Sequence, residues 1–274
     1  MDSHRRDAAG CGLLSSTSDM RKHILILGGT TEARELGQYL ASRTDIAVTL
    51  SLAGRTASPL AQAVPVRRGG FGGISGLMRY LSDHEVDALI DATHPFAATI
   101  SAHAASAVSR TNTPMIALCR PPWSTVAGDR WSEVLDAHAA ARALGSSPRT
   151  VFLAVGRQEV ADFESAPQHR YLIRSVDPVD PPLAVPHARY ILARGPFEEE
   201  QERALLLEHA IEVVVAKNSG GLATYGKIAA ARALGIEVIL LRRPPESDVR
   251  RVASVAEAVA WLDHVVKAPS ERGV

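Results

Sequence analysis

Cysteine is nearly absent: Cys11 and Cys119 are the only two in 274 residues. Two cysteines so far apart argue against a disulfide framework and a cysteine-based structural zinc site. Aromatic residues make up 5% of the chain and the formal net charge is zero. A neutral chain has no overall pull toward nucleic acid or an anionic membrane surface. No apolar run approaches the roughly 20 residues of a membrane span. A Ser/His/Asp order, a metal-ligand spacing and a Walker loop are also missing, so no metal site is expected and the chemistry belongs in a cofactor. Residues 1–22 are polar, with Gly12-Leu13-Leu14 as their one apolar spot, too short for a signal-peptide core. They are expected to be a disordered extension of a cytoplasmic protein, and residues 269–274 a disordered tail.

What is present is an α/β pattern. Hydrophobic residues are 46% and charged residues 22% of the chain, ordinary values for a globular protein long enough for two domains. Short apolar runs, which read as strands buried on both faces, fall at 23–27, 46–52, 64–66, 86–91 and 114–118, then at 150–155, 170–173, 189–193, 211–216 and 236–241. Helical patterns between them fall at 31–42, 74–83, 96–109, 198–209, 222–234 and 254–266. This alternation predicts largely parallel sheets. The loop Leu144-Gly145-Ser146-Ser147-Pro148 divides the chain into 23–146 and 147–268.

In open α/β sheets, ligands bind beyond the carboxyl ends of the strands. The first half delivers a nucleotide site there. The run His23–Leu27 leads into Gly28-Gly29-Thr30-Thr31-Glu32-Ala33, where glycines permit a sharp turn and close approach of a ligand. Thr30 or Thr31 can N-cap the following helix, leaving free amides for a phosphate. The second strand ends in Gly54-Arg55-Thr56; an arginine at that tip fits a 2′-phosphate and favours NADP over NAD. Gly69, Gly70 and Phe71 lie in a glycine-rich loop that can rest against a flat or charged ligand. The fourth strand delivers Thr93, His94 and Pro95, with His94 placed for a ligand contact.

The second half delivers positive charge. Arg157, Arg174 (followed by Ser175), Arg194 (followed by Gly195), Lys217 and Arg242 with Arg243 each stand at a predicted strand end. Five cationic tips in a neutral protein imply a focused patch for several carboxylates or phosphates. After Lys217, the turn Asn218-Ser219-Gly220-Gly221 can form an anion-holding nest. Tyr225 and Lys227, just beyond it, can donate hydrogen bonds or a proton.

Taken in order, Gly28-Gly29-Thr30-Thr31-Glu32-Ala33, Ala53-Gly54-Arg55, Arg68-Gly69-Gly70-Phe71-Gly72, Asp91-Ala92-Thr93-His94-Pro95-Phe96-Ala97, Gly195-Pro196-Phe197 and Lys217-Asn218-Ser219-Gly220-Gly221 resemble the precorrin-6A reductase family of cobalamin biosynthesis. The resemblance covers roughly residues 22–245. It implies two Rossmann-like domains with the active site in the cleft between them. It also implies NADPH-dependent reduction of one double bond in precorrin-6A, or its cobalt complex, to precorrin-6B. The acetates and propionates of a tetrapyrrole would occupy the cationic tips, and transient contact with neighbouring pathway enzymes would pass the substrate along. Tyr225, Lys227 and His94 are the candidate proton donors, with solvent an equal rival. A non-catalytic sensor of NADPH and a polyanion is the alternative. A short-chain-type reductase is disfavoured, because Tyr225 and Lys227 lack that class's Tyr-x-x-x-Lys spacing.

Overall fold

A computed structural model of the chain describes residues 21–54 and 60–267. The chain starts with β1 (Lys22–Leu27), α1 (Thr31–Leu40), β2 (Ile46–Leu52), β3 (Val66–Arg68), α2 (Gly73–Asp83), β4 (Val86–Asp91), α3 (Ala98–Thr111) and β5 (Met115–Leu118). It continues through β6 (Trp131–Val134), α4 (Ala137–Ala143), β7 (Thr150–Ala154), a 3-10 helix (Arg157–Ser165), β8 (Arg170–Ser175) and β9 (Ala188–Leu192). It finishes with α5 (Glu199–Glu208), β10 (Val213–Lys217), α6 (Gly226–Leu234), β11 (Glu237–Leu241), β12 (Arg251–Val252) and α7 (Val255–Lys267).

Twelve strands form two six-stranded sheets, ordered β12-β5-β4-β1-β2-β3 and β6-β11-β10-β7-β8-β9. Every recorded pairing is parallel. Both sheets are Rossmann-like, with the strand order reversing beside β1 in one and β7 in the other. The central strands are apolar throughout because helices cover both their faces: Ile24, Leu25 and Ile26 are fully buried, as are Val151, Phe152 and Leu153. Each sheet accordingly has a separate core on either side. Leu36 and Leu262 pack on one face of the first sheet and Leu77 and Ala104 on the other.

The division at 146/147 does not follow the sheets. After β5 the chain crosses over, and β6 pairs with β11 in the second sheet; after β11 it crosses back, and β12 pairs with β5. The second sheet is thus the unbroken run β6–β11, while the first takes its sixth strand, β12, and the helix after it from beyond the second sheet. The segments 119–130 and 242–250 are these two crossings. Sequence patterning missed β6, α4 and β12 because none carries an apolar run: Ser132 and Glu133 are exposed, and β12 is two residues long. The third strand lies at 66–68 rather than 64–66, and α3 and α6 start later than their periodicity suggests.

Candidate active site

The turn after β1 is built by packing. A Cβ on Gly28 would sit 2.5 Å from Leu50 Cδ1 and 3.4 Å from the Ala33 Cβ, so the backbone there has no room for a side chain. Thr30 is the N-cap of α1: its hydroxyl accepts from the Ala33 amide at 3.1 Å and donates to the Ala92 carbonyl at 2.8 Å. That hydroxyl ties the β1 turn to the tip of β4. The amides of Thr31 and Glu32, in the first turn of α1, have no intrahelical acceptor and remain for an anion.

Beyond β3 the glycine loop is held from behind. The Arg67 guanidinium donates to the carbonyls of Gly69 and Gly70, at 2.5 and 2.7 Å, and lies 3.8 Å over the Phe71 ring. Phe71 in turn meets Tyr80 edge-on. At the β4 tip, Asp91 accepts from the Thr93 amide and hydroxyl, at 3.0 and 2.7 Å. His94 Nδ1 accepts from the Phe96 amide at 3.3 Å, so the ring proton resides on Nε2. Burial, reinforced by Arg120, Lys217, Arg243 and Lys227, pushes the His94 pKa down to about 3. This imidazole is neutral at physiological pH and offers an N–H donor rather than an acidic proton.

These elements open on a cavity of about 830 Å³ between the two sheets. Of the nucleotide residues expected from sequence, Gly28, Gly29, Thr30, Thr31 and Gly54 line it, with Gly69, Gly70, Phe71, Thr93 and His94. The second sheet contributes Val176, Arg194, Gly195, Pro196, Ala223 and Thr224. Of the described lining residues, three are arginines (Arg34, Arg68 and Arg194) and none carries a carboxylate. A side chamber of about 270 Å³ shares Thr93 and His94 as a wall and is bordered by Pro95, Cys119 and Glu246.

Other expected site residues are engaged elsewhere. Arg55 and Thr56 lie outside the described residues. Glu32 is not in the cavity lining; its carboxylate meets Arg120 at 2.6 Å. Arg174 is buried and forms two hydrogen bonds with Glu202, at 2.5 and 2.8 Å, beneath the Phe197 ring. Ser175 is buried too and donates to the Asp177 carbonyl. Lys217 is ion-paired with Glu159, and Arg157 lies 3.8 Å from the Asp177 carboxylate. The picture of five cationic tips around one ligand is therefore corrected: within the cavity lining, Arg194 is the tip that remains.

The Lys217–Gly221 segment is not an anion nest but a junction. Arg120 donates to the carbonyls of Ser219 and Gly220, each at 2.9 Å, and Arg243 to those of Asn218 and Ser219, each at 3.0 Å. Arg243 also donates to the Arg120 carbonyl at 2.8 Å, so the two crossing segments are stitched to each other and to β10. The Asn218 amide spans the backbone N–H and C=O of Trp123. A Cβ on Gly220 would meet the Pro121 carbonyl at 2.0 Å, and Gly221 opposes Arg120 in the same way at 2.6 Å.

Tyr225 and Lys227 likewise turn away from the cavity lining. The Tyr225 hydroxyl accepts from Arg232, which is paired with Asp129, and its ring stacks near Trp123. Lys227 is buried, donates to the Thr224 carbonyl at 2.5 Å and sits 5.0 Å from the Trp123 ring centroid. Burial, then the nearby Arg174, push its pKa down to about 7. It supports a cavity residue from behind. Sequence reasoning gave no site role to Arg34, which follows the β1 turn directly and so was within reach of the same argument.

Fold and cavity together define a Rossmann-like two-sheet α/β protein in which a large cleft among the described residues joins a glycine-turn wall on the first sheet to a second wall bearing an arginine. The chain matches the family model described as Precorrin-6x reductase CbiJ/CobK over residues 23–263, and it belongs to that family. It is 56% identical over 254 residues to a precorrin-6A reductase of Sinorhizobium sp, covering 92% of this chain and 97% of the relative. It is 49% identical over 244 residues to that of Rhodobacter capsulatus, covering 88% and 96%. A solved structure, "CobK precorrin-6A reductase", superposes with a TM-score of 0.86 at 46% identity, covering 92% of this chain and all of that one (100%).

Proposed function

We propose that this protein is an NADPH-dependent precorrin-6A reductase of cobalamin biosynthesis, acting in the cytoplasm. The observation that carries the reading is the cleft itself, about 830 Å³, glycine-lined on the first sheet, with three arginines and no carboxylate among its described lining residues. Such a lining suits two polyanionic ligands held face to face. It disfavours a small neutral carbonyl compound, which would offer the Arg34 and Arg68 guanidiniums no counter-charge.

The residues present fit the cofactor. Gly29, with open space where a Cβ would stand, leaves room for a pyrophosphate at the turn, and the first amides of α1 would donate to it. When bound, NADPH supplies the hydride. The protein's part is to hold donor and acceptor carbons at reacting distance and to keep bulk water from separating them. Arg194, on the opposite wall, is placed for a peripheral carboxylate of the macrocycle. His94 donates its Nε2–H as a hydrogen bond that orients a ligand in the cleft. It is no general acid, because a neutral imidazole that gave up that proton would become an imidazolate. With Tyr225 and Lys227 off the cavity lining, the proton that accompanies the hydride comes from solvent. No helix among the described residues is long and apolar enough to cross a membrane. Delivery of the tetrapyrrole involves transient contacts with the enzymes that make and consume it.

The test is a titration with NADPH and then NADH, followed by precorrin-6A or cobalt-precorrin-6A while nicotinamide absorbance is watched. NADPH oxidation together with a changed tetrapyrrole spectrum is the expected result. Tight NADPH binding without oxidation by either tetrapyrrole would leave a nucleotide-binding sensor instead.

A further inference from the structure

We infer that Arg34 and Arg68, rather than the β2-tip arginine alone, form the pocket for the 2′-phosphate of the cofactor and set its preference for NADPH over NADH. This rests on the cofactor reading above and adds to it which side chains discriminate between the two dinucleotides.

Both residues line the cleft on its first-sheet side. Arg34 is in the first turn of α1, and Arg68 ends β3, in register with Leu52 at the end of β2. Between them lies the stretch Leu52–Gly54, which lines the same cavity. In a sheet of this strand order the adenosine ribose lies beyond the tip of β2, where an NAD-selective site presents a carboxylate to the 2′-hydroxyl. None of the described residues around this cavity is acidic.

The neighbouring charges are committed, and these two are not. Glu32 holds Arg120, and Arg67 is spent on the glycine-loop carbonyls and the Phe71 ring. Among the described residues, neither the Arg34 nor the Arg68 guanidinium has a hydrogen-bond or ion-pair partner. Two planar, permanently charged donors on one cavity wall, from a helix start and a strand end, suit a phosphate dianion, which offers several acceptor oxygens. Arg194 is excluded from this role by place: it belongs to the second-sheet wall, with Gly195 and Pro196.

The experiment is calorimetric titration of the full chain and of Arg34→Gln, Arg68→Gln and Arg55→Gln with four probes: NADPH, NADH, 2′,5′-ADP and 5′-AMP. Loss of one charge-assisted contact should weaken NADPH and 2′,5′-ADP by about 10- to 100-fold in Arg34→Gln and in Arg68→Gln. NADH and 5′-AMP should change by less than about twofold, which a folding defect would not allow. Unchanged 2′,5′-ADP affinity in both variants overturns the inference, most directly if Arg55→Gln alone abolishes the preference. Equal loss of all four probes also overturns it, because the arginines would then serve the pyrophosphate or the fold. A wild-type chain that binds neither dinucleotide would remove the cofactor reading itself.

Discussion

Arg174 separates the charge pattern of the sequence from the chemistry of the folded molecule most sharply. Its side chain is 6% exposed and that of Glu202 3%, so the pair is out of water. Two hydrogen bonds join them, at 2.5 and 2.8 Å, and the guanidinium lies 3.6 Å from the Phe197 ring centroid and 4.8 Å from that of Phe152. Replacing Arg174 by Met keeps most of the volume but strands a buried carboxylate, which costs about 3–5 kcal/mol. For a chain of this size each kcal/mol corresponds to about 2–4 °C in Tm, so a fall of roughly 10 °C is expected in thermal unfolding. The double variant Arg174→Met with Glu202→Leu removes both charges and should recover most of that loss. NADPH affinity of the folded protein should be unchanged in both. If Arg174→Met unfolded within about 1 kcal/mol of wild type while tetrapyrrole affinity dropped tenfold, the guanidinium would have to face the substrate, and the burial argument would be wrong.

Lys227 gives a pH signature. Its pKa is about 7 in the folded protein against an ordinary 10.5, so between those values the unfolded chain holds a proton that the folded one lacks. Stability should therefore rise with pH across that window, and the full penalty of the buried ammonium is present below pH 7. Urea unfolding at pH 7 and pH 10 should show a rise on the order of 1 kcal/mol per pH unit in wild type that is missing in Lys227→Met; parallel profiles would refute the burial. Gly76→Ala would put a methyl 1.7 Å from the Phe71 carbonyl, so the glycine loop must shift; a loss of about 1–3 kcal/mol and weakened NADPH binding are expected by melting and titration. Glu32→Gln should lower stability by roughly 1 kcal/mol through its partner Arg120 and leave NADPH affinity near wild type. A tenfold loss of affinity at unchanged stability would return Glu32 to the cofactor.

The parallel sheets were legible because burial on both faces leaves runs such as Ile24–Leu27 with no alternation to interpret, and glycines mark where those runs turn. Two edge strands, β6 and β12, escaped because they lack that signature; Trp131–Val134 exposes its two middle residues. The first-sheet wall is local in sequence, and most of the residues expected there line the cleft. The second wall was harder. Counting cations at strand ends locates charge but not its partner, and Glu202 and Glu159 lie 28 and 58 residues from Arg174 and Lys217. Each acid sits in a helical segment where a solvated carboxylate is the ordinary expectation. Asn218 and Gly220 looked like ligand-binding residues because packing against Pro121 and Trp123 across the crossover makes the same demands on a turn as an anion does.

The return of β12 and α7 to the first sheet also orders events in time. A ribosome emits residues in sequence, so β1–β5 emerge with one flank of their sheet unfilled. Val252, Ala258 and Leu262, which are buried in that flank, arrive only after the whole second sheet has been made. The first-born half is thus the last to be finished, while the second sheet has all its strands once β11 is out. A truncation of the final twenty or so residues would leave the nucleotide wall, more than two hundred residues away, without the helix that backs it. Loss of cofactor binding in such a truncation would report a first sheet left uncovered on one face and not a missing ligand contact.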